Sequence, residues 1–325
     1  MLRVRGLLPT LVCLALPCAC LGASLNDQQF NGRWDIAVSG ASPPKAWWLE
    51  VSGAGTDVVK GKFVGAPGGQ LDDIPKITIF DGEMRFSFER RYHKDPKQLE
   101  KGLYWARIEA GKLKGTFEIE GDPFSYLEWT GVRAPTLADK DDGAWKRGDP
   151  INVFNGRDLT GWQPVGMTRS AAWMVKDALL TNSPGATDLV SERKFQNFDL
   201  HVEYLIGPRS NSGIGLRGRY EVQILDDYGK PASLHSNGAL YSRVAPSMNA
   251  SKPPGEWQTF DIRLIGRQVS VALNGLKIID KANIDGLTAI AIDPNEADPG
   301  PIVLQGDHGL VQFRKIVLYP LLKVR

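Results

Sequence analysis

Apolar and polar side chains alternate with a period of two over most of the chain, and the 3.6-residue period of an amphipathic helix is nearly absent. Runs with that alternation are separated by Gly, Pro, Asn and Asp, which predicts an all-β protein. Within residues 25–134 the runs WDIAV, WWLEV, VVKGKFVG, ITIFDGEMRFSF, GLYWARIEAGKLKGTFEI and YLEWTGV mark strands, with tight hairpins at Asp81-Gly82 and Ala110-Gly111. That is enough chain for a small antiparallel barrel or sandwich. The pattern lapses over residues 135–148, a charged stretch opening on a proline, which reads as a linker. From 149 to 325 a longer series of strands resumes, and Asn274-Gly275 supplies the two positive φ angles of a type I′ hairpin. Such a series predicts a two-sheet sandwich or jelly roll.

One segment of that series stands apart. Ser210 to Gly229 reads as a single extended strand with Ile214, Leu216, Tyr220, Val222 and Ile224 on one face. The other face carries Arg217, Arg219, Glu221 and Gln223 and leads into Asp226 and Asp227. A row of Arg, Arg, Glu and Gln is rich in groups that bind hydroxyls and handle protons. It marks the floor of a site for a polar substrate.

Composition narrows the setting. Residues 1–24 have the layout of an export signal: Arg3 and Arg5, an apolar run from Leu7 to Leu16, and Leu21-Gly22-Ala23 as the small-residue cleavage site. The expectation is a periplasmic or secreted protein. A lipid anchor on Cys18 or Cys20 is the less favoured alternative, because neither ALPC nor PCAC is a clean acylation box. All three cysteines lie in this segment, so thiolate and disulfide chemistry are not expected of the mature chain. A net charge of +2 without basic runs gives no reason to expect a nucleic-acid partner, and no apolar run is long enough for a transmembrane helix. No Gly-rich phosphate loop or nucleophile elbow is present, and no organic cofactor is expected.

Four blocks now carry a resemblance: VFNGRDLTGWQP, SNSGIGLRGRYEVQILDDYG, PPGEWQTFDIRLIGRQVSVALNG and GPIVLQGDHGLVQFRKIVLYPL. In this order they resemble the 3-keto-disaccharide hydrolase family over about residues 150–321. The resemblance implies a concanavalin A-like (lectin/glucanase) sandwich and an exported enzyme acting on glycosides already oxidised to a ketone at C3. A C3 ketone acidifies the C2 proton, so the site would need a base, an acid for the leaving oxygen and a positive group or metal at the ketone oxygen. The first domain matches no family in this way; its Gly32-Arg33-Trp34 is similar to the opening of lipocalin barrels, and an accessory role is expected.

Several residues are candidates for those roles. Glu221 and His308 are expected to move protons, the latter because the family's C-terminal block carries an Asp-His-Gly element. Arg217, Arg219, Gln223, Tyr241 and Gln305 are expected to bind substrate, the arginines through their forked donors. Asp226 is the candidate for helping to hold a divalent cation, Ca²⁺ or Mg²⁺. His201 and Glu203 would join this floor if their strand lay beside Glu221, and His235 could reach over it from a loop. Trp257 could stack on a sugar, and one of Trp47 and Trp48, on opposite faces of a strand, should point outward as a sugar platform. His93 reads as a charged loop residue. The competing readings are a lectin-like carbohydrate-binding protein and a structural surface protein, since the scaffold alone does not choose.

Overall fold

A computed structural model describes residues 27–41, 43–65, 69–92, 98–166, 172–183 and 185–324. The export segment, the three cysteines and His93 lie outside these residues. The described chain is built of antiparallel sheets, with a single-turn 3-10 helix at Asp27–Phe30.

The first domain is one nine-stranded meander. Its first long strand, Gly32–Val38, pairs with both Ala46–Ser52 and the last, Asp122–Arg133, so the sheet curls on itself. The alternation in sequence is what closes it: in Glu100–Glu109, Tyr104 and Ala106 turn inward while Trp105 and Arg107 turn out. Trp47 anchors the core, edge-on to Phe63 at 5.8 Å and to Tyr104 and Phe117 at 6.0 Å each. The expected hairpins are present, with φ of 50° and 68° at Asp81 and Gly82 and 49° and 76° at Ala110 and Gly111.

The second domain is a sandwich. Its larger sheet runs Trp173–Lys176, Leu179–Asn182, Val311–Lys323, Phe198–Ile206, Trp257–Ile265, Gln268–Leu273 and Leu276–Asn283 in spatial order. The smaller sheet runs Trp162–Pro164, Leu189–Phe195, Gly300–Leu304, Asn211–Leu216 and Tyr220–Leu225. Between them lie Leu200, Val202, Tyr204, Phe260 and Ile262 from one sheet and Leu189, Ile214, Val222 and Leu304 from the other, all within one continuous apolar core.

The linking segment is tied to the second domain rather than left free. Trp145–Arg147 pairs with the far end of Val311–Lys323, the Asp141 amide donates to Gln268 Oε1 (2.8 Å), and Arg263 pairs with the Asp141 carboxylate (3.2 Å).

Two sequence expectations need correction. Ser210–Gly229 is a hairpin: Asn211–Leu216 and Tyr220–Leu225 are joined by a tight turn in which Arg217 and Gly218 have φ of 53° and 69°. Leu216 pairs with Tyr220 across it, so even-numbered positions face the core in both strands. The chain doubles back without breaking the alternation, which is why the sequence looks like one strand. Trp47 and Trp48 are also both buried, and neither is an outward platform. Trp48 instead faces the second domain, in a small apolar cluster with Ala46, Val64, Leu287 and Ala291.

Candidate active site

The site follows from register on the outer face of the smaller sheet. Val190 pairs with Val303, Val303 with Gly215 and Gly215 with Glu221, which sets these four side by side across the sheet. Continued by two residues, the register sets Asp188, Gln305, Gly213 and Gln223 in the next row, with the Gln305 amide donating to the Gly213 carbonyl (3.0 Å). The first row is mostly apolar and is covered, since Val165 and Ile290 pack on Val190 and Val303. The second is polar and ends at Asp307 and His308, whose side chains are about half exposed.

Glu221 sits where the rows meet. It is 2% exposed and its Oε2 has no hydrogen-bond partner; nor does the buried Oε1 of Gln305. With its side-chain amide turned, Gln223 Nε2 donates to Glu221 Oε1 (3.2 Å) and to the Ser212 carbonyl (3.2 Å). The strand opposite makes room for the carboxylate: a Cβ on Gly213 would lie 2.5 Å from Glu221 Oε1. Burial first, and then the Asp188 charge, push the Glu221 carboxyl up to about 8, against the pull of His308 and Lys45. Burial likewise raises Asp188, whose carboxylate accepts the Gly306 amide (3.0 Å).

His308 hydrogen-bonds Asp307 through Nδ1. That bond raises the imidazole above its ordinary range, with Glu221 and Asp188 adding to the effect. Tyr241 completes the rim. Its amide donates to the Glu221 carbonyl (2.9 Å), its ring meets His235 edge-on at 5.0 Å, and burial and the Glu221 charge raise its phenol. Glu221, Gln223, Tyr241, Gln305 and His308 are therefore gathered, and Asp188 and Lys45 are members that sequence reasoning did not single out.

Other candidates go elsewhere. Arg217, in the turn, is fully buried and donates to the Gly266 carbonyl (2.8 Å) and to Tyr220 Oη (3.2 Å). Arg219 is fixed to Asp293 (2.7 and 2.9 Å) and the Asp298 carbonyl (2.8 Å). Neither guanidinium is paired with Glu221, because the turn carries both arginines off the sheet face. Asp226 accepts the Arg209 amide (2.7 Å), and Asp227 accepts the Asn237 amide (3.0 Å) and the Ser251 hydroxyl (2.7 Å). Among the described residues no group of three or more His, Cys, Asp or Glu is placed to hold a metal ion.

His201 and Glu203 lie on the outer face of the larger sheet, paired with Asp261 (2.8 Å) and Lys315 (3.6 Å) respectively. A groove of about 420 Å³ crosses that face, but its charges are mutually engaged, as in Arg263 and Arg147 on Asp199. Trp257 carries the Arg314 guanidinium 4.4 Å above its ring.

A model of the 3-keto-alpha-glucoside-1,2-lyase-like domain matches residues 149–318. A 3-keto-disaccharide hydrolase of Bacteroides thetaiotaomicron is 26% identical over 33% of this chain and 49% of its own. The chain thus spans about half the length of that curated relative. A Parabacteroides distasonis protein, solved as a provisional glycosyl hydrolase, shares 29% identity over 57% of this chain and 91% of its own, with a TM-score of 0.46. A non-specific endo-β-1,3(4)-glucanase of family GH16 shares 10% identity over 57% of this chain and 95% of its own, with a TM-score of 0.36.

Proposed function

Since the chain belongs to the 3-keto-alpha-glucoside-1,2-lyase-like family, we propose that it cleaves 3-keto-glycosides by proton abstraction and elimination at the Glu221 site. The observation that carries this is a buried carboxyl with a free Oε2, poised near pH 8, beside an exposed His308–Asp307 pair. A carboxylate with a raised pKa is a stronger base than an ordinary one and suits removal of a proton from carbon. A histidine raised by a neighbouring acid keeps its proton near neutrality and suits delivery to a leaving oxygen.

The steps balance on this chain's residues. Glu221 takes the C2 proton of the keto-sugar, the C–H pair moves between C2 and C3, and the carbonyl pair moves onto the C3 oxygen. That enolate then collapses, its electrons form the C1–C2 double bond, and the C1–O bond breaks as His308 protonates the departing oxygen. Addition of water across C1–C2 returns a 3-keto-sugar, so the net reaction is hydrolysis. Gln223 steadies Glu221, and Gln305 Oε1, buried beside it, has no partner within the fold. An ordinary glycosidase pair would use two carboxylates flanking C1, whereas here Asp188 is itself raised by burial and the exposed proton donor near Glu221 is the His308 imidazole.

The export-like residues 1–24 support activity outside the cytoplasm. The test is product formation from a 3-keto-glucoside and its unoxidised parent, with and without EDTA, by wild type and Glu221→Gln. Turnover of the keto compound alone, lost in the variant, is expected. Sugar binding without turnover of either compound would replace this reading with a carbohydrate-binding module.

A further inference from the structure

The seam between the domains passes beside Glu221 on two sides. The Glu221 amide donates to Thr288 Oγ1 (2.9 Å), and Thr288 stands next to Leu287, which packs with Trp48 of the first domain. On the other side Tyr241 precedes Ser242, whose hydroxyl accepts the Leu71 amide (2.8 Å). The fit along the seam is close: a Cβ on Gly69 would come within 2.3 Å of Ala289, and one on Gly166 within 3.2 Å of Pro43. Segments 43–46 and 69–72 of the first domain are thus laid along the edge of the site.

Lys45 sits in the first of these segments. The next residue is pinned, the Ala46 amide donating to the Ala291 carbonyl (2.9 Å). The Lys45 side chain is exposed, and among the described residues no hydrogen bond or ion pair engages its ammonium. The Ala46–Ala291 bond and the Leu287–Thr288 link to Glu221 hold Lys45 at this edge of the site, and its charge favours the ionised forms of Glu221, Asp188 and Asp307 alike. With Arg217 and Arg219 engaged elsewhere, Lys45 and His308 are the cations acting on Glu221.

We propose that Lys45 is a substrate-binding residue of the active site, its ammonium meeting the oxygen that becomes anionic at the keto carbon. The two domains then build one site, and the first is part of the enzyme rather than an accessory. This rests on the reaction proposed above. An ammonium at the enolate oxygen supplies the electrophile that proton abstraction from carbon needs, and His308 is left free for the leaving group.

The test uses the full chain as wild type, Lys45→Met and Lys45→Arg, assayed on a 3-keto-glucoside. The Glu221 carboxyl is followed in parallel by carbon NMR of glutamate-labelled protein and assigned against Glu221→Gln. Lys45→Met should lose roughly 10²-fold in kcat, the scale of one lost oxyanion donor, with its melting temperature unchanged, and Lys45→Arg should recover most of that. The Glu221 titration should move upward in Lys45→Met and stay in place in Lys45→Arg. A wild-type rate in Lys45→Met overturns the proposal whatever the titration does. A wild type that turns over no keto-sugar sinks the reaction instead. In that event an upward shift in Lys45→Met keeps Lys45 in the site as a ligand contact, and an unmoved titration removes it.

Discussion

Glu221 and Glu296 are both buried carboxyls of the second domain, 2% and 0% exposed, yet their surroundings differ. Glu296 accepts from Tyr220 Oη (2.6 Å) and from Arg267, and it faces Asp35 across the domain seam. Asp35, whose two carboxylate oxygens have no hydrogen-bond partner, is pushed well above the ordinary carboxylate range by burial first and then by the Glu296 charge. Glu221 has no cation bonded to it and keeps one oxygen unpartnered. Burial therefore does not distinguish a working carboxyl from a structural one. The two glutamates differ in their partners: Glu296 is satisfied by Tyr220 and Arg267, whereas Glu221 keeps Oε2 free beside the polar row.

That contrast can be broken from either side. The largest effect should come from Glu221→Gln, which is expected to abolish keto-glycoside turnover by roughly 10³-fold or more, since it removes the base outright. The same variant should be more stable than wild type in alkali. Folded Glu221 holds its proton to about pH 8, whereas an unfolded Glu releases it near 4.5, so wild type loses stability as pH rises through that window. Melting curves between pH 5 and 9 check this, and a variant that melts below wild type at pH 9 would count against the raised pKa. The ascending limb of kcat/KM in wild type should accordingly lie near pH 8.

His308→Asn should cost roughly 10²-fold, less with substrates whose leaving group departs without a proton, which a series of phenolic aglycones would reveal. Gly213→Ala should cost about tenfold in kcat/KM while the protein stays folded, because the new Cβ displaces the Glu221 carboxylate. Tyr220→Phe, on the structural side, should lower stability by about 1–3 kcal/mol in denaturant titrations and leave kcat/KM untouched. Activity should respond least to Asp35→Asn, whose effect is on stability. It should flatten the loss of stability above neutrality, since the raised Asp35 carboxyl also disfavours the folded state as pH climbs past its unfolded value.

The all-β architecture and the hairpins at Asp81-Gly82, Ala110-Gly111 and Asn274-Gly275 were legible because period-two patterning and positive-φ turns are local signals. Glu221 and Gln223 were legible as neighbours for the same reason. The Arg217–Gly218 turn was not, because a loop that preserves parity leaves no mark on the alternation. Reading through it joined Arg217 and Arg219 to a face they do not share with Glu221. Asp188 required the pairing of Leu189–Phe195 with Gly300–Leu304, and Lys45 required the docking of another domain. Both are long-range facts that no window of sequence contains.

The placement of Val311–Lys323 has a consequence for synthesis. This strand lies between Leu179–Asn182 and Phe198–Ile206 in the larger sheet, and Trp145–Arg147 also pairs with it. The first domain closes on itself once Asp122–Arg133 has emerged from the ribosome, and it can fold while translation continues. The sandwich must wait, with its unpaired edges exposed, for the strand translated last among its own. The nascent chain thus spends its most aggregation-prone interval with a finished first domain and an unfinished second one.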